Sequence, residues 1–270
     1  MSKIKVALQV YSVRDDAARD FVGTIGKIAA FGYDGVELAG TYGLSPKRIA
    51  EVVNGNGMTC ISAHVGYGEL LQSETIAAYK AMGCKYVAIP HMTLDKIFMS
   101  DERDTVVENI KKIGKECKEN GMQLLYHNHD FEFTKLEDGT YILDKLYELV
   151  PPEYLMPEFD TCWVKVAGED PVAYINKYSG KTPVVHLKDF VGSKSANMYE
   201  LIGVDKKADT PAEKFAFRPV GHGVQDFPSI IDASIKSGAE WVVVEQDMSY
   251  NSAPLTDAKK SREYLKSIGY

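Results

Sequence analysis

Several apolar segments of this chain end in side chains that commonly bind metals or move protons. In chain order the eight segments read VALQVYS, YDGVEL, MTCISAH, YVAIPH, MQLLYHNHDFEF, LMPEFDTCW, TPVVHLKD and WVVVEQD. Their polar end residues are Glu37, His64, His91, His127, His129, Glu132, Asp160, His186 and Glu245. If folding brings these ends together, they offer a mixed set of nitrogen and oxygen ligands for a divalent metal.

The elements that must position these residues alternate regularly along the chain. Each apolar segment is followed by an amphipathic, helix-like stretch, from residue 4 to residue 267. This alternation indicates βα units and a parallel sheet, and eight units predict a closed barrel whose strands all end at one mouth. We therefore predict an α/β protein in which residues 1–270 form a single-domain (β/α)8 TIM barrel.

Composition limits the classes of function. The chain has 270 residues, and its net charge of −7 argues against a partner recognised through its phosphates, such as nucleic acid. The four cysteines form no CxxC pair, which is typical of reduced intracellular thiols. No apolar run reaches the ~18 residues of a membrane span. We expect a cytoplasmic protein without a membrane partner, and a homo-oligomer remains open.

One connection departs from the regular alternation. Residues 190–219 have no clear period and follow the predicted strand 183–187. A connection of this length in a compact domain is usually functional or mobile. We interpret it as a long loop insertion and predict that it serves as a lid or as part of a subunit contact.

The pair His186 and Lys188 lies near the end of a strand. Residues two apart on a strand point to the same face, so Lys188 could hold a substrate oxygen beside a metal-bound imidazole. It could instead be a surface lysine just past the strand. Asp160 and Glu245 end buried strands, where acidic groups suggest a cation, although either could cap the following helix. These residue types suit Mn²⁺, Mg²⁺, Co²⁺ or Zn²⁺.

The segment YHNHDFEF carries a second group of candidates. His127 and His129 share one face and Glu132 follows in the turn, so the pair could ligate a metal, bind a sugar hydroxyl or act as an acid–base group. Hydrogen-bonded core histidines are the structural alternative. His64, His91 and Glu37 end strands and are further candidates, and each could instead have a structural role. Trp163 and Phe131 could form an aromatic wall for a sugar ring, although core packing is the alternative for both.

Eight motifs together resemble one superfamily. They are LQVYSVRD, FGYDGVEL, YHNHDFEF, FDTCW, DPVAYINKY, HLKD, GHGVQDFPSII and VEQD, and they resemble the xylose isomerase-like sugar phosphate isomerase/epimerase superfamily over almost the whole chain. The resemblance implies one divalent metal, usually Mn²⁺, held by Glu132, Asp160, His186 and Glu245.

Two departures from related patterns qualify this resemblance. Ketose 3-epimerase-like members have a strand-5 glutamate where this chain has Tyr126-His127. Glu132 then becomes the nearest carboxylate, as in the inosose dehydratase-like branch. FDTCW resembles the Asp-Thr-Cys-His motif of the endonuclease IV family, but Trp163 replaces its histidine. That replacement favours one metal over a trinuclear zinc nuclease.

The function predicted from these residues is isomerisation or epimerisation of a small sugar or keto-sugar. Proton abstraction would give a metal-stabilised enediolate, with Glu132 and Glu245 as the carboxylate pair and His127 or His129 as a substitute base. His64, His91 and Lys188 would bind substrate oxygens. Two alternatives stay open, namely a lyase or dehydratase acting on a keto-inositol or 3-keto-glycoside, and a non-catalytic sugar-binding subunit.

Overall fold

Eight parallel strands close into a barrel in a computed structural model that describes residues 4–194, 198, 215–250 and 252–270. The strands are β1 (Lys5–Gln9), β2 (Gly35–Ala39), β3 (Thr59–His64), β4 (Tyr86–Ile89), β5 (Gln123–His127), β6 (Met156–Asp160), β7 (Val184–Leu187) and β10 (Trp241–Val244). Their order around the barrel is β1-β10-β7-β6-β5-β4-β3-β2. The predicted TIM barrel is therefore confirmed.

Helices surround the barrel and cover the outer faces of its strands. They are α1 (Arg14–Arg19), α2 (Phe21–Phe31), α3 (Pro46–Gly55), α4 (Tyr67–Leu70), α5 (Ser73–Ala81), α6 (Leu94–Ile97), α7 (Arg103–Glu119), α8 (Ile142–Leu149), α9 (Thr161–Val166), α10 (Pro171–Lys177), α11 (Phe227–Lys236) and α12 (Pro254–Ser267). Short 3-10 helices span Val10–Val13 and Phe131–Phe133. Within the described ranges, none of these helices combines the length and the apolar character needed to cross a membrane.

Local capping explains where several helices begin. Ser45 accepts a hydrogen bond from the Arg48 amide at the start of α3, and Asp170 accepts one from the Val172 amide at the start of α10. A break at Asp20 separates α1 from α2. Asp20 causes the break, because its carboxylate accepts the Gly23 amide and starts a new helix.

The lower half of the barrel interior is a packed apolar floor. It contains Ala7, Ile61, Tyr86, Ala88, Leu125, Val184, Trp241 and Val243. Gly35 fits among them because it lacks a side chain: a Cβ there would lie 2.7 Å from the Thr59 carbonyl oxygen and 3.1 Å from the Trp241 ring. Polar side chains at the C-terminal ends of the strands therefore lie above a closely packed apolar layer.

The segment predicted as an aperiodic loop is ordered at both ends. Asp189–Val191 (β8) and Ala216–Arg218 (β9) pair as antiparallel strands, with Phe190 opposite Phe217. Both phenylalanines belong to a buried cluster with Trp163. Residues 195–197 and 199–214, on which most of the predicted lid falls, lie outside the described residues.

Gly114 provides a test of helix packing against the barrel. It lies inside α7, where an added Cβ would come 2.1 Å from the Tyr154 carbonyl oxygen. We expect Gly114→Ala to lower the free energy of unfolding by about 1–3 kcal/mol, because backbone must move to relieve the overlap. The matched control is Gly55→Ala in α3, where a Cβ meets nothing within 4 Å and should be neutral or stabilising. Urea denaturation of both variants measures the difference, and equal stabilities would contradict this packing.

Candidate active site

Four adjacent barrel strands each deliver two polar side chains to the mouth. The pairs are His127/His129, Glu158/Asp160, His186/Lys188 and Glu245/Asp247, from β5, β6, β7 and β10 or the residues just after them. The spacing of two within each pair directs both side chains to the same side of the strand. All eight side chains are buried, so the mouth is a dense polar layer above the apolar floor.

Four of these residues converge on a possible metal position. Suitable ligand atoms of His127, Asp160, His186 and Glu245 all lie within 4.8 Å of one another. The His127 Nε2 is 3.7 Å from Asp160 Oδ2 and 3.9 Å from Glu245 Oε2, while the His186 Nδ1 is 3.1 Å from Glu245 Oε2. Two ligands that share one ion at ~2.1 Å are separated by about 3–4 Å, so these spacings fit a single cation.

Deeper carboxylates hold the two imidazoles from behind. The Glu158 Oε1 lies 3.2 Å from His127 Nδ1 and 3.2 Å from His186 Nε2, and the Glu37 Oε1 lies 2.8 Å from the same His186 atom. The contact of Glu158 with His127 Nδ1 is a hydrogen bond, and a carboxylate that receives the rear N–H of a ligating histidine fixes its ring and raises its basicity. The contacts of Glu158 and Glu37 with His186 are close charge pairs. Glu37 is in turn bonded by the Gln9 side-chain amide at 2.7 Å. Glu37 therefore supports the site from below.

Asp160 caps a helix and also reaches the cluster of possible ligands. Its Oδ1 accepts the amides of Cys162 and Trp163 at 2.8 and 3.0 Å, which caps α9. Its Oδ2 has no hydrogen-bond partner within the described part of the chain and faces the site. The cap holds the carboxylate in place and leaves one buried oxygen for a ligand.

Lys188 is fully buried beside the four converging residues. Its ammonium lies 2.7 Å from Asp247 Oδ2, 3.1 Å from Glu245 Oε2 and 3.3 Å from Asp160 Oδ2. Burial alone would lower the pKa of Lys188, but the three carboxylates outweigh it and raise that pKa above its ordinary value. The predicted alternative of a surface lysine is wrong, because this side chain lies inside the barrel mouth.

The electrostatics of the layer favour a divalent cation. Five carboxylates are buried there with one lysine: Glu37, Glu158, Asp160, Glu245 and Asp247. Burial would lower the pKa of His64, but Glu37 and Glu158 raise it to about 10. Burial raises the pKa of Asp247 to about 7 despite the nearby ammonium. The five carboxylates still outnumber the cationic groups Lys188, His64 and His186, and the nitrogen and oxygen ligands fit Mn²⁺ and similar ions.

The geometry places Glu132 apart from this cluster. Its carboxylate accepts the Tyr126 hydroxyl at 2.6 Å and the His129 amide at 2.8 Å. Within the described residues it belongs neither to the cluster above nor to a second, overlapping group of possible ligands, which consists of His64, His127, Glu158 and His186. Burial raises the pKa of Glu132 to about 8. The geometry therefore favours His127 as the strand-5 ligand, in place of the Glu132 that the resemblance implied. Glu132 instead fixes the turn that carries His129.

This assignment leads to a prediction about metal content. We expect Glu132→Gln to retain its metal, because the amide is nearly isosteric and the residue contacts no other proposed ligand. His127→Ala should lose most of it, because one of four ligands disappears. Elemental analysis of both purified variants decides the point. Loss of metal from Glu132→Gln together with retention in His127→Ala would restore Glu132 as the ligand.

A cavity of about 570 Å³ opens above the cluster. His64, His91 and His129, all predicted to contact the substrate or act on it, line this cavity with Lys188. Burial, followed by the nearby Lys188 ammonium, lowers the pKa of His129 well below its ordinary value. These effects favour the neutral form of the imidazole.

Trp163 does not line the cavity and lies behind it. The indole is fully buried, 5.3 Å from the His129 ring and stacked 6.0 Å from Phe215. Phe131 stacks on His129 at 5.2 Å. Both aromatic side chains therefore make packing contacts. Core packing was the alternative to a wall that contacts a sugar ring.

Two residues of the site escaped the sequence analysis. Glu158 was hidden in the apolar run LMPEF, and Asp247 lies two residues after Glu245. Both could have been found from their spacing, because Glu158 lies two residues before Asp160 and Asp247 lies two residues after Glu245. A carboxylate inside a buried strand is also unusual enough to mark a site.

Known proteins resemble this chain over nearly its whole length. The sequence profile of the xylose isomerase-like TIM barrel family matches residues 25–268 of this chain. Inosose dehydratases from Lacticaseibacillus casei and Geobacillus thermodenitrificans are 26% and 28% identical, over 91% of this chain and 88% and 89% of theirs. A sugar phosphate isomerase/epimerase structure from Parabacteroides distasonis superposes with a TM-score of 0.78 at 20% identity, covering 100% of this chain and 96% of the other. At that identity the superposition establishes only a common fold.

Proposed function

Because this chain belongs to the family of xylose isomerase-like TIM barrels, we propose that it is a metal-dependent lyase of the dehydratase type acting on a cyclic keto-sugar or keto-inositol. The observation that carries the proposal is the buried cluster of His127, Asp160, His186 and Glu245 with Lys188 beside it. The likeness to inosose dehydratases over about nine tenths of the chain supports the dehydratase type.

The four clustered residues would hold one divalent ion, for which Mn²⁺ is our choice. The bound cation supplies Lewis-acid stabilisation of negative charge that develops on a substrate carbonyl oxygen. The carboxylates Glu37 and Glu158 keep the two histidine ligands oriented toward the mouth. The apolar floor beneath them excludes water from the far side of the ligands.

His129 is our candidate for the base that takes the proton next to the substrate carbonyl. Its ring lines the cavity, and its Nδ1 has no hydrogen-bond partner within the described ranges. The backbone amide of His129 is held by Glu132, which fixes the start of the turn. A neutral imidazole in a fixed position is suited to general base catalysis.

Lys188 is our candidate for the group that assists the leaving oxygen. Elimination breaks a C–O bond one carbon beyond the site of proton removal, and the departing oxygen must acquire a proton. The Lys188 ammonium is a hydrogen-bond donor that three carboxylates hold at the cavity wall. Isomerisation, by contrast, returns the proton to carbon and has no leaving group to assist.

The isomerase or epimerase predicted from the sequence remains our second candidate. Asp247 also lines the cavity, from the end of β10, and gives the site a second acid–base group besides His129 on β5. Epimerisation needs such a pair, one group to remove the proton and another to return one.

Product analysis separates the two candidates. The Mn²⁺-loaded protein is incubated in D₂O with 2-keto-myo-inositol and with a 3-keto-glycoside, and the mixture is followed by NMR and mass spectrometry. We expect a product that has lost water or its aglycone. A product of unchanged composition would support the isomerase. Absence of both turnover and α-proton exchange would point to the non-catalytic sugar-binding subunit.

A further inference from the structure

The cavity extends well beyond the proposed metal ligands. Its wall continues to the side of β1, β2 and β3, where Tyr11, Glu69 and Tyr79 line it. A keto-inositol has about twelve non-hydrogen atoms, and even at ~30 Å³ each, the volume of a bulk water molecule, they would fill only about 360 Å³. Against a volume of about 570 Å³, space remains on the side away from the ligands.

Tyr11 forms a fixed wall in this part of the cavity. The Arg14 guanidinium lies 4.2 Å from the centre of its ring and donates hydrogen bonds to the carbonyl oxygens of Tyr11 at 3.0 Å and Asp247 at 2.8 Å. The Tyr11 amide donates to the Gln9 side chain at 3.0 Å. These contacts set the orientation of the ring before any ligand binds, which lowers the entropic cost of binding.

Polar groups stand beside this aromatic ring. Tyr79 is buried apart from its contact with the cavity, and the exposed carboxylate of Glu69 lies on α4 at the same wall. The neighbouring Tyr67 hydroxyl accepts a hydrogen bond from Asn109 at 2.9 Å, which ties α4 to α7. A flat ring for C–H groups and a carboxylate for hydroxyl groups are complementary to a sugar ring.

We propose that Tyr11, Glu69 and Tyr79 form a subsite for a second hydroxylated ring, so that the substrate is a keto-glycoside. The assignment of substrate class rests on the proposed function. In the reaction, the C–H bond next to the keto group and the glycosidic C–O bond on the adjacent carbon break, and a C=C bond forms between those carbons. The abstracted proton is balanced by one delivered to the departing oxygen, so no oxidant or reductant is needed.

Binding of unreactive sugars tests the subsite without any turnover. Calorimetry on the Mn²⁺-loaded protein compares maltose with methyl α-glucopyranoside, which lacks the second ring. We expect maltose to bind about tenfold more tightly, and Tyr11→Ala to remove roughly three- to tenfold of that preference. Tyr250→Ala, which replaces an exposed tyrosine outside this cavity, is the matched control and should keep the preference. Equal affinities of the wild-type protein for the two sugars would overturn the subsite.

Turnover of the 3-keto forms of the same two compounds tests the substrate class. We expect kcat/KM for 3-keto-maltose to exceed that for methyl 3-keto-α-glucopyranoside by about tenfold, and Tyr11→Ala to reduce this ratio. Equal values would overturn the contribution of a second ring to the substrate while leaving the lyase intact. If neither keto compound reacts but 2-keto-myo-inositol loses water, the keto-glycoside assignment fails and the proposed function stands. If none of the three reacts while maltose keeps its binding preference, the proposed function fails and the subsite stands.

Discussion

His186→Ala should release the metal almost completely. The side chain is fully buried, its Nδ1 lies 3.1 Å from Glu245, and alanine leaves one of four ligand positions empty. Loss of a carboxylate behind a ligating histidine typically weakens metal binding about 10–100-fold, so loss of the histidine should weaken it by more than about 100-fold. Titration of the metal-free protein with Mn²⁺ measures the affinity directly.

Two further variants make this measurement specific. His222→Ala removes an exposed histidine and should bind Mn²⁺ like the wild type. Glu158→Gln keeps the shape of a carboxylate that contacts three imidazoles, and it should weaken Mn²⁺ binding by about 10–100-fold. The proposed site would be wrong if His186→Ala bound Mn²⁺ with the affinity of the wild type.

His129→Asn should abolish proton abstraction while the metal remains bound. Asparagine cannot accept the proton, and the loss of one general base lowers the rate by about 10²–10⁴-fold. Exchange of the substrate α-proton with D₂O and formation of the elimination product should fall together. The metal content serves as the internal control, because His129 lies outside the four proposed ligands.

Lys188→Met separates the second half of the reaction from the first. Methionine is similar in length but offers no proton donor to the leaving oxygen. We expect elimination to fall by about 10²–10³-fold while α-proton exchange continues, because the base is still present. Lys181→Met, a change of an exposed lysine, is the matched control.

If His129→Asn retained exchange, the base would have to be another group of the cavity, with Glu245 and Asp247 the first to test.

Much of the site could be predicted because the face on which a strand side chain lies follows from its position in the local sequence. The pairs His127/His129 and His186/Lys188 show in the sequence that two side chains share a face, and the βα alternation shows that these faces meet at one mouth. Asp160 and Glu245 were identified because each is an acidic residue at the end of an apolar, strand-like segment. The structure brings these residues together, and its metal geometry involves four of them.

Which carboxylates and imidazoles share a cation could not be derived in this way. That choice depends on strand register: Asp160 is level with His186, and His127 is level with Glu158. Register sets the height of each inward side chain along the barrel axis, and a single strand contains no information about it. The sequence could therefore not distinguish the strand residue His127 from Glu132 in the following turn.

The sequence by itself determined the barrel, its family and the mouth at which polar groups gather, because these follow from periodicity and from motifs in order. Tertiary structure alone decided that Glu37 and Glu158 contact the two imidazoles from below, that Trp163 packs behind the cavity, and that Tyr11 lines it. The physical reason is that closing the barrel joins strands that are far apart in the chain, as when Lys5 pairs with Trp241. The roles of these side chains are set by partners that are distant in the chain.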